Sequence, residues 1–127
     1  MKKTITIKEM MDLSNKLHKK YEDYWDNSPE SNINWVCWLV GEIGEVIDII
    51  KKKGTDKIMN DESTRLEMLK EIADCYMYLA DILNRYKFTA EEFSKIYQAK
   101  MNYNLKRDYR KSKTKAEKSK KLLEARY

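Results

Sequence analysis

At 127 residues the chain is long enough for one domain with a real core and too short for two ordinary ones. Three glycines and one proline leave few turn signals for a many-stranded sheet, and no stretch reaches the roughly 18–20 apolar residues of a membrane span. The net charge of +5 belongs to the C-terminal end. From Leu105 onward ten Lys or Arg stand against three acids, so the basic balance does not make the whole chain a nucleic-acid binder.

The opening Met1-Lys2-Lys3-Thr4-Ile5-Thr6-Ile7 has no apolar run before Lys8 and Glu9 and does not read as a signal peptide. A first helix is expected after Thr6, where Thr6 and Glu9 fit a capping box. Met10, Leu13, Leu17, Tyr21 and Tyr24 give it one apolar stripe, and Asp26-Asn27-Ser28-Pro29 ends it. A second helix runs from about Asn32 to Lys53. The near-continuous apolar stretch Ile33 to Val40, broken only by Asn34, predicts burial of its first half, and three lysines followed by Gly54 form its stop.

A polar loop is expected through about Asp61, then a third helix to about Tyr86 carrying Leu66, Leu69, Ile72, Ala73, Met77, Ala80 and Leu83. Thr89 and Glu92 form another capping box, opening a fourth helix to about Leu105 with Phe93, Ile96, Tyr97 and Met101 on its apolar side. The division this suggests is a helical domain over 1–109 and a basic tail over 110–127, flexible or a short helix opening near Thr114. Cys37 and Cys75 lie in apolar helical segments without zinc spacing and read as reduced core residues of a cytoplasmic protein. His18, the single histidine, lies beside the first apolar stripe and reads as structural or exposed.

The informative residues are Glu42, Glu45, Glu71 and Asp74. Each pair is three positions apart, on adjacent turns of one helix face. Two acids so placed repel each other, and apolar surroundings screen that repulsion poorly. If the helices pack with all four together, a divalent cation would offset the charge, and oxygen-only ligands favour Mg²⁺, with Mn²⁺ as a substitute, over zinc. Either pair alone is ordinarily a solvated face. Gly41 and Gly44 weigh against that, because mid-helix glycine costs about 1 kcal/mol and close approach of a backbone or ligand would account for it. The spacing alone leaves both readings open.

The same residues resemble a known family, the MazG-like all-α nucleoside triphosphate pyrophosphohydrolases, which include dimeric dUTPases and dCTP pyrophosphatases. The family's ExxE and ExxD motifs are matched by Glu42-Ile43-Gly44-Glu45 and Glu71-Ile72-Ala73-Asp74, with 25 residues between them. Trp38 to Val46 is similar to its "LxGExGEx" helix, Leu69 to Leu79 to its "ExxDxxxYL" helix, and Lys100 to Arg107 to its "KxxxNxxR" segment. The resemblance spans roughly residues 30 to 109; the tail after Arg107 departs from it.

The resemblance implies an all-α bundle of four to five helices of the all-α NTP pyrophosphatase type, completed by oligomerisation into a homodimer or homotetramer. Helices two and three would pack antiparallel, with Glu42, Glu45, Glu71 and Asp74 as Mg²⁺ ligands. A water, deprotonated by Glu45, would attack the α–β linkage of a nucleoside triphosphate, giving a monophosphate and pyrophosphate. Lys100 and Arg107 would contact phosphates, and Asn104 the sugar or base. By helical spacing Trp38 and Tyr78 extend the acidic face as an aromatic wall for a nucleobase; Trp35 fits that wall or the core equally. Pool sanitation is the implied role. Two alternatives are hydrolysis of a related pyrophosphate such as phosphoribosyl-ATP, and a non-catalytic protein holding nucleic acid through its basic tail. No membrane partner is expected.

Overall fold

The structure, a computed structural model, describes residues 1–111 and 115–126. All of its regular structure among these residues is helical: α1 (Ile7–Lys20), α2 (Asn32–Lys53), α3 (Thr55–Asn60), α4 (Glu62–Arg85), α5 (Ala90–Lys106) and α6 (Lys115–Arg126). Short 3-10 turns lie at Pro29–Ser31 and Tyr109–Lys111. No described helix is long and apolar enough to cross a membrane. The chain forms two compact units, Met1–Glu92 and Phe93–Tyr127.

The expected starts are made by the expected caps. Thr6 Oγ1 accepts from the Glu9 amide at 3.1 Å and Glu9 Oε1 accepts from the Thr6 amide at 3.0 Å, and the same reciprocal pair joins Thr89 and Glu92 at 3.1 Å each. Helix α1 stops at Lys20, earlier than the proline signal suggests, and the chain continues in turns as Tyr24 and Trp25 both donate back to the Tyr21 carbonyl. Gly54, at φ +81°, ends α2. The expected polar loop beyond it is instead the short helix α3. Thr55–Asn60 contains neither glycine nor proline, so a helix restarts as soon as Gly54 has turned the chain. Asp61 then caps α4 through the Thr64 amide at 3.0 Å. Lys87, at φ +60°, supplies the left-handed residue after α4, with Lys87 and Phe88 donating to the Asn84 and Leu83 carbonyls. The proposed opening of the last helix at Thr114 lies outside the described residues.

Helices α2 and α4 pack antiparallel as expected. Asn32 Nδ2 donates to the Ile82 carbonyl, Trp35 lies against Tyr78, and Glu42 meets Glu71, the α4 partner moving toward its N-terminus as α2 advances. Helix α1 also packs on α4, and its His18 reaches the Trp35 ring of α2.

The core differs from the apolar stripes. Its buried apolar residues are Met11, Trp35, Ile49, Met68 and Ala80, and they share the interior with Ser14, His18, Asn32, Thr64, Asp81 and Arg85. Leu13 and Leu17 of the first stripe, Leu66 and Leu69 of the third helix, and most of Ile33 to Val40 are exposed; so is Cys37, while Cys75 is half-buried, so neither is a core cysteine. The physical reason is a polar network that turns α1 and α4 toward each other. His18 Nδ1 meets Asn27 Oδ1 at 2.6 Å; because that oxygen also faces Arg85 Nη1 at 3.4 Å, it is the acceptor and Nδ1 the donor. His18 Nε2 lies 3.1 Å from Asp81 Oδ1, an electrostatic contact out of line for a hydrogen bond. Asp81 also accepts from the Ser14 hydroxyl, and Arg85 Nη2 donates to Asn15 Oδ1 at 3.0 Å. Burial pushes the Arg85 guanidinium down, against the pull of Asp81.

Asp81→Ala would leave the buried Ser14 hydroxyl without its acceptor and Arg85 without the carboxylate that counters its charge, and is expected to destabilise the fold by about 3 kcal/mol in urea melts. Leu17→Ala, on the exposed stripe, should stay within about 0.5 kcal/mol.

Candidate metal centre

The acids sit where α2 and α4 run alongside one another. Along α2, Trp35, Glu42 and Ile49 are seven residues apart and occupy one line, the one that faces α4. Along α4, Glu71 and Asp74 are separated by about one turn. One carboxylate oxygen from each of Glu42, Glu71 and Asp74 lies within 4.8 Å of the other two, and all three residues are half-buried. Among the described residues this is the group of His, Cys, Asp and Glu side chains that could hold a metal ion. Glu45, one turn beyond Glu42, is exposed and stands outside the three converging oxygens, though its charge reaches Glu42.

Gathering like charges has a cost that appears in the titration of Glu42. A hydrogen bond with Glu71 raises its carboxyl above the ordinary value, and partial burial and the charges of Asp74, Glu71 and Glu45 add to the rise. Neighbouring groups feel the same field. Burial first, then Glu42 and Asp74, push up both the Cys75 thiol and the Tyr78 phenol. Three hard oxygens on two helices fit a hard divalent cation of the Mg²⁺ type.

An aromatic cluster adjoins the acids. Trp38 is about half exposed, at 52%. Its ring centroid lies 4.9 Å from that of Trp35 and 6.4 Å from that of Tyr78. Trp35 is buried: its indole Nε1 donates to Ser31 Oγ at 3.0 Å and its ring meets His18 and Trp25 edge-on. Of the two readings open for Trp35, its place is the core behind the wall, while Trp38 offers a face to solvent. His18 is structural and only 2% exposed.

Lys100, Asn104 and Arg107 belong to the second unit. Lys100 is exposed, Asn104 half-buried, and the Arg107 guanidinium stacks over Tyr109 at 4.5 Å. The residues that sequence reasoning passed over are Trp25, Asn27, Asp81 and Arg85. Asp81 had a usable signal, because it lies seven residues beyond Asp74 on the same line of α4. Gly41 and Gly44 are not crowded within the chain; a Cβ at either meets nothing within 4 Å. No protein-family model matches the chain, and no curated protein matches it.

A raised carboxyl binds its proton more tightly in the folded chain than in the unfolded one. The Glu42 contribution is therefore unfavourable above its folded value and relieved as pH falls through it. Mg²⁺ competes with that proton, so millimolar Mg²⁺ is expected to raise the melting temperature more at about pH 7.5 than at about pH 5, and Glu42→Gln should erase the difference. With open space around both glycines, Gly41→Ala should raise stability by about 1 kcal/mol in thermal melts.

Proposed function

We propose that the protein is a Mg²⁺-dependent nucleoside triphosphate pyrophosphohydrolase, cleaving (d)NTP to (d)NMP and pyrophosphate. One observation carries this reading: Glu42, Glu71 and Asp74, the residues that match the ExxE and ExxD motifs, bring their oxygens within 4.8 Å across two helices. A charged surface would have let them diverge. Beside them stands an exposed indole, Trp38, next to the Tyr78 ring, a surface on which a base can stack.

Mg²⁺ bound there supplies positive charge beside a polyphosphate and makes a nearby water more acidic. Glu42, Glu71 and Asp74 hold the ion. Glu45, more exposed than its neighbours, accepts the proton of the attacking water. A new bond forms to phosphorus at the α–β linkage, the bridging P–O bond breaks, and pyrophosphate leaves with that oxygen. Lys100 and Arg107 offset charge on the phosphates and Asn104 contacts the sugar or base, roles that rest on the "KxxxNxxR" likeness. Assembly as a homodimer or homotetramer, a cytoplasmic location and a role in nucleotide-pool sanitation go with this reading.

A panel of ribo- and deoxynucleoside triphosphates with phosphoribosyl-ATP, assayed for pyrophosphate release in Mg²⁺, tests it. At least one substrate should be cleaved to its monophosphate, with kcat reduced on the order of 100-fold or more by Glu45→Gln. No release from any member sinks the proposal.

A further inference from the structure

The boundary between the two compact units is also a boundary of charge. Phe93–Tyr127 holds twelve Lys or Arg against three acids, a net +9, while Met1–Glu92 holds fourteen against eighteen, a net −4. The hydrolase reading uses two of the twelve cations, Lys100 and Arg107. The three acids of the second unit do not answer the rest. Asp108 is engaged by Arg110, whose Nε donates to it at 3.0 Å. Glu117 and Glu124 stand four residues from Lys121 and Lys120 respectively, and these four residues line one side of α6. A positive excess so concentrated attracts a polyanion, and the negative balance of the first unit does not.

What lies between the cations separates this unit from a solvated basic tail. At 3.6 residues per turn Lys95, Ala99, Asn102 and Lys106 share one line of α5, on the side away from Phe93, Tyr97 and Met101. Tyr103 borders that line and is 65% exposed. Tyr109 is exposed as well, with the Arg107 guanidinium stacked over it. Spaced cations neutralise successive phosphates of a strand, and exposed rings among them offer faces on which bases stack. A duplex keeps its bases stacked on one another, so the tyrosines fit an unpaired strand. A lipid surface fits α6 less well. Its large apolar residues among those described, Leu122 and Leu123, are neighbours in sequence and point about 100° apart, so α6 has no apolar face to bury.

We propose that the second unit binds single-stranded nucleic acid, with phosphates at Lys95 and Lys106 of α5 and Lys118 of α6 and with bases stacked on Tyr103 and Tyr109. Recognition is by charge and stacking and is tolerant of base sequence.

Fluorescence anisotropy of the full chain with labelled single strands of about 20 nucleotides, one RNA and one DNA, and with the matching DNA duplex tests this. EDTA keeps metal from bridging phosphates to the acids of the first unit, so the result does not depend on the hydrolase reading. At least one strand should bind with a Kd on the order of 10 µM at about 0.15 M salt, more tightly than the duplex. The tighter of the RNA and DNA arms identifies the partner. Lys95→Gln, Lys106→Gln and Lys118→Gln together should reduce the slope of log K against log salt by about 2, the value for three phosphate contacts on a single strand. Tyr103→Ala should weaken strand binding about tenfold and leave that slope unchanged. All four positions are exposed, so far-UV circular dichroism should stay at the wild-type value. Equal or tighter binding of the duplex, capture only by vesicles of equimolar phosphatidylcholine and phosphatidylserine, or binding indifferent to these substitutions overturns the proposal. None of the altered positions is a candidate site residue, so nucleotide hydrolysis is judged separately by its own assay.

Discussion

The contact of His18 with Asp81 is the constraint on which the arrangement of the first unit turns. A carboxylate taken out of water must be met by donors or positive charge, or the fold does not hold. Asp81 accepts from the Ser14 hydroxyl and its charge acts on Arg85, while His18 of α1, in contact with it, is wedged against Trp25 and Trp35. These contacts allow α4 only one rotation about its axis. Asp74 stands two turns back from Asp81 on the same line of the helix, and Glu71 stands likewise two turns back from Tyr78. With Asp81 held inside, Asp74 and Glu71 face α2.

Helix α2 is fixed in a corresponding way. Trp35 is held by Ser31 and by the His18 ring, and Asn32 by the Ile82 carbonyl, all near its first turn. Glu42 lies seven residues beyond Trp35 and so meets α4 beside Glu71. The polar network at one end of the helix pair therefore aims the acids two turns away, on two packed helices. The Glu42 carboxyl is raised by its hydrogen bond with Glu71, then by burial and by the charges of the neighbouring acids, which a cation would offset.

A small core is the other consequence. Polar residues fill much of the interior, and large aliphatic residues of α1, α2 and α4 are left at the surface. Between α1 and α4 they line an apolar groove of about 390 Å³ around Leu13, Leu17 and Met77, and on α2 Ile33, Val36, Val40, Ile43, Ile47 and Ile50 stay exposed. Monomeric proteins seldom carry apolar patches of this extent without a use for them.

Local signals were legible in the chain wherever the deciding interaction is local. Thr6 with Glu9, Thr89 with Glu92, the lysines before Gly54 and the three-residue spacing of the acids are all settled within one or two turns, and each expected helix is present. The helix at Thr55–Asn60 was hidden because a glycine signals a change of chain direction and leaves the type of the next element open. Which face of each helix is buried was not legible. Apolar spacing pointed to Leu13 and Leu17, but the choice fell to Ser14, His18, Asp81 and Arg85, whose partners lie nearly 70 residues away in the chain and exist only once α1 lies on α4. The same holds for the acids. Their spacing made two pairs, and only the rotation imposed by the distant Asp81 joined Glu42 to Glu71 and Asp74 and left Glu45 outside, because a helix alone does not determine which of its faces meets another.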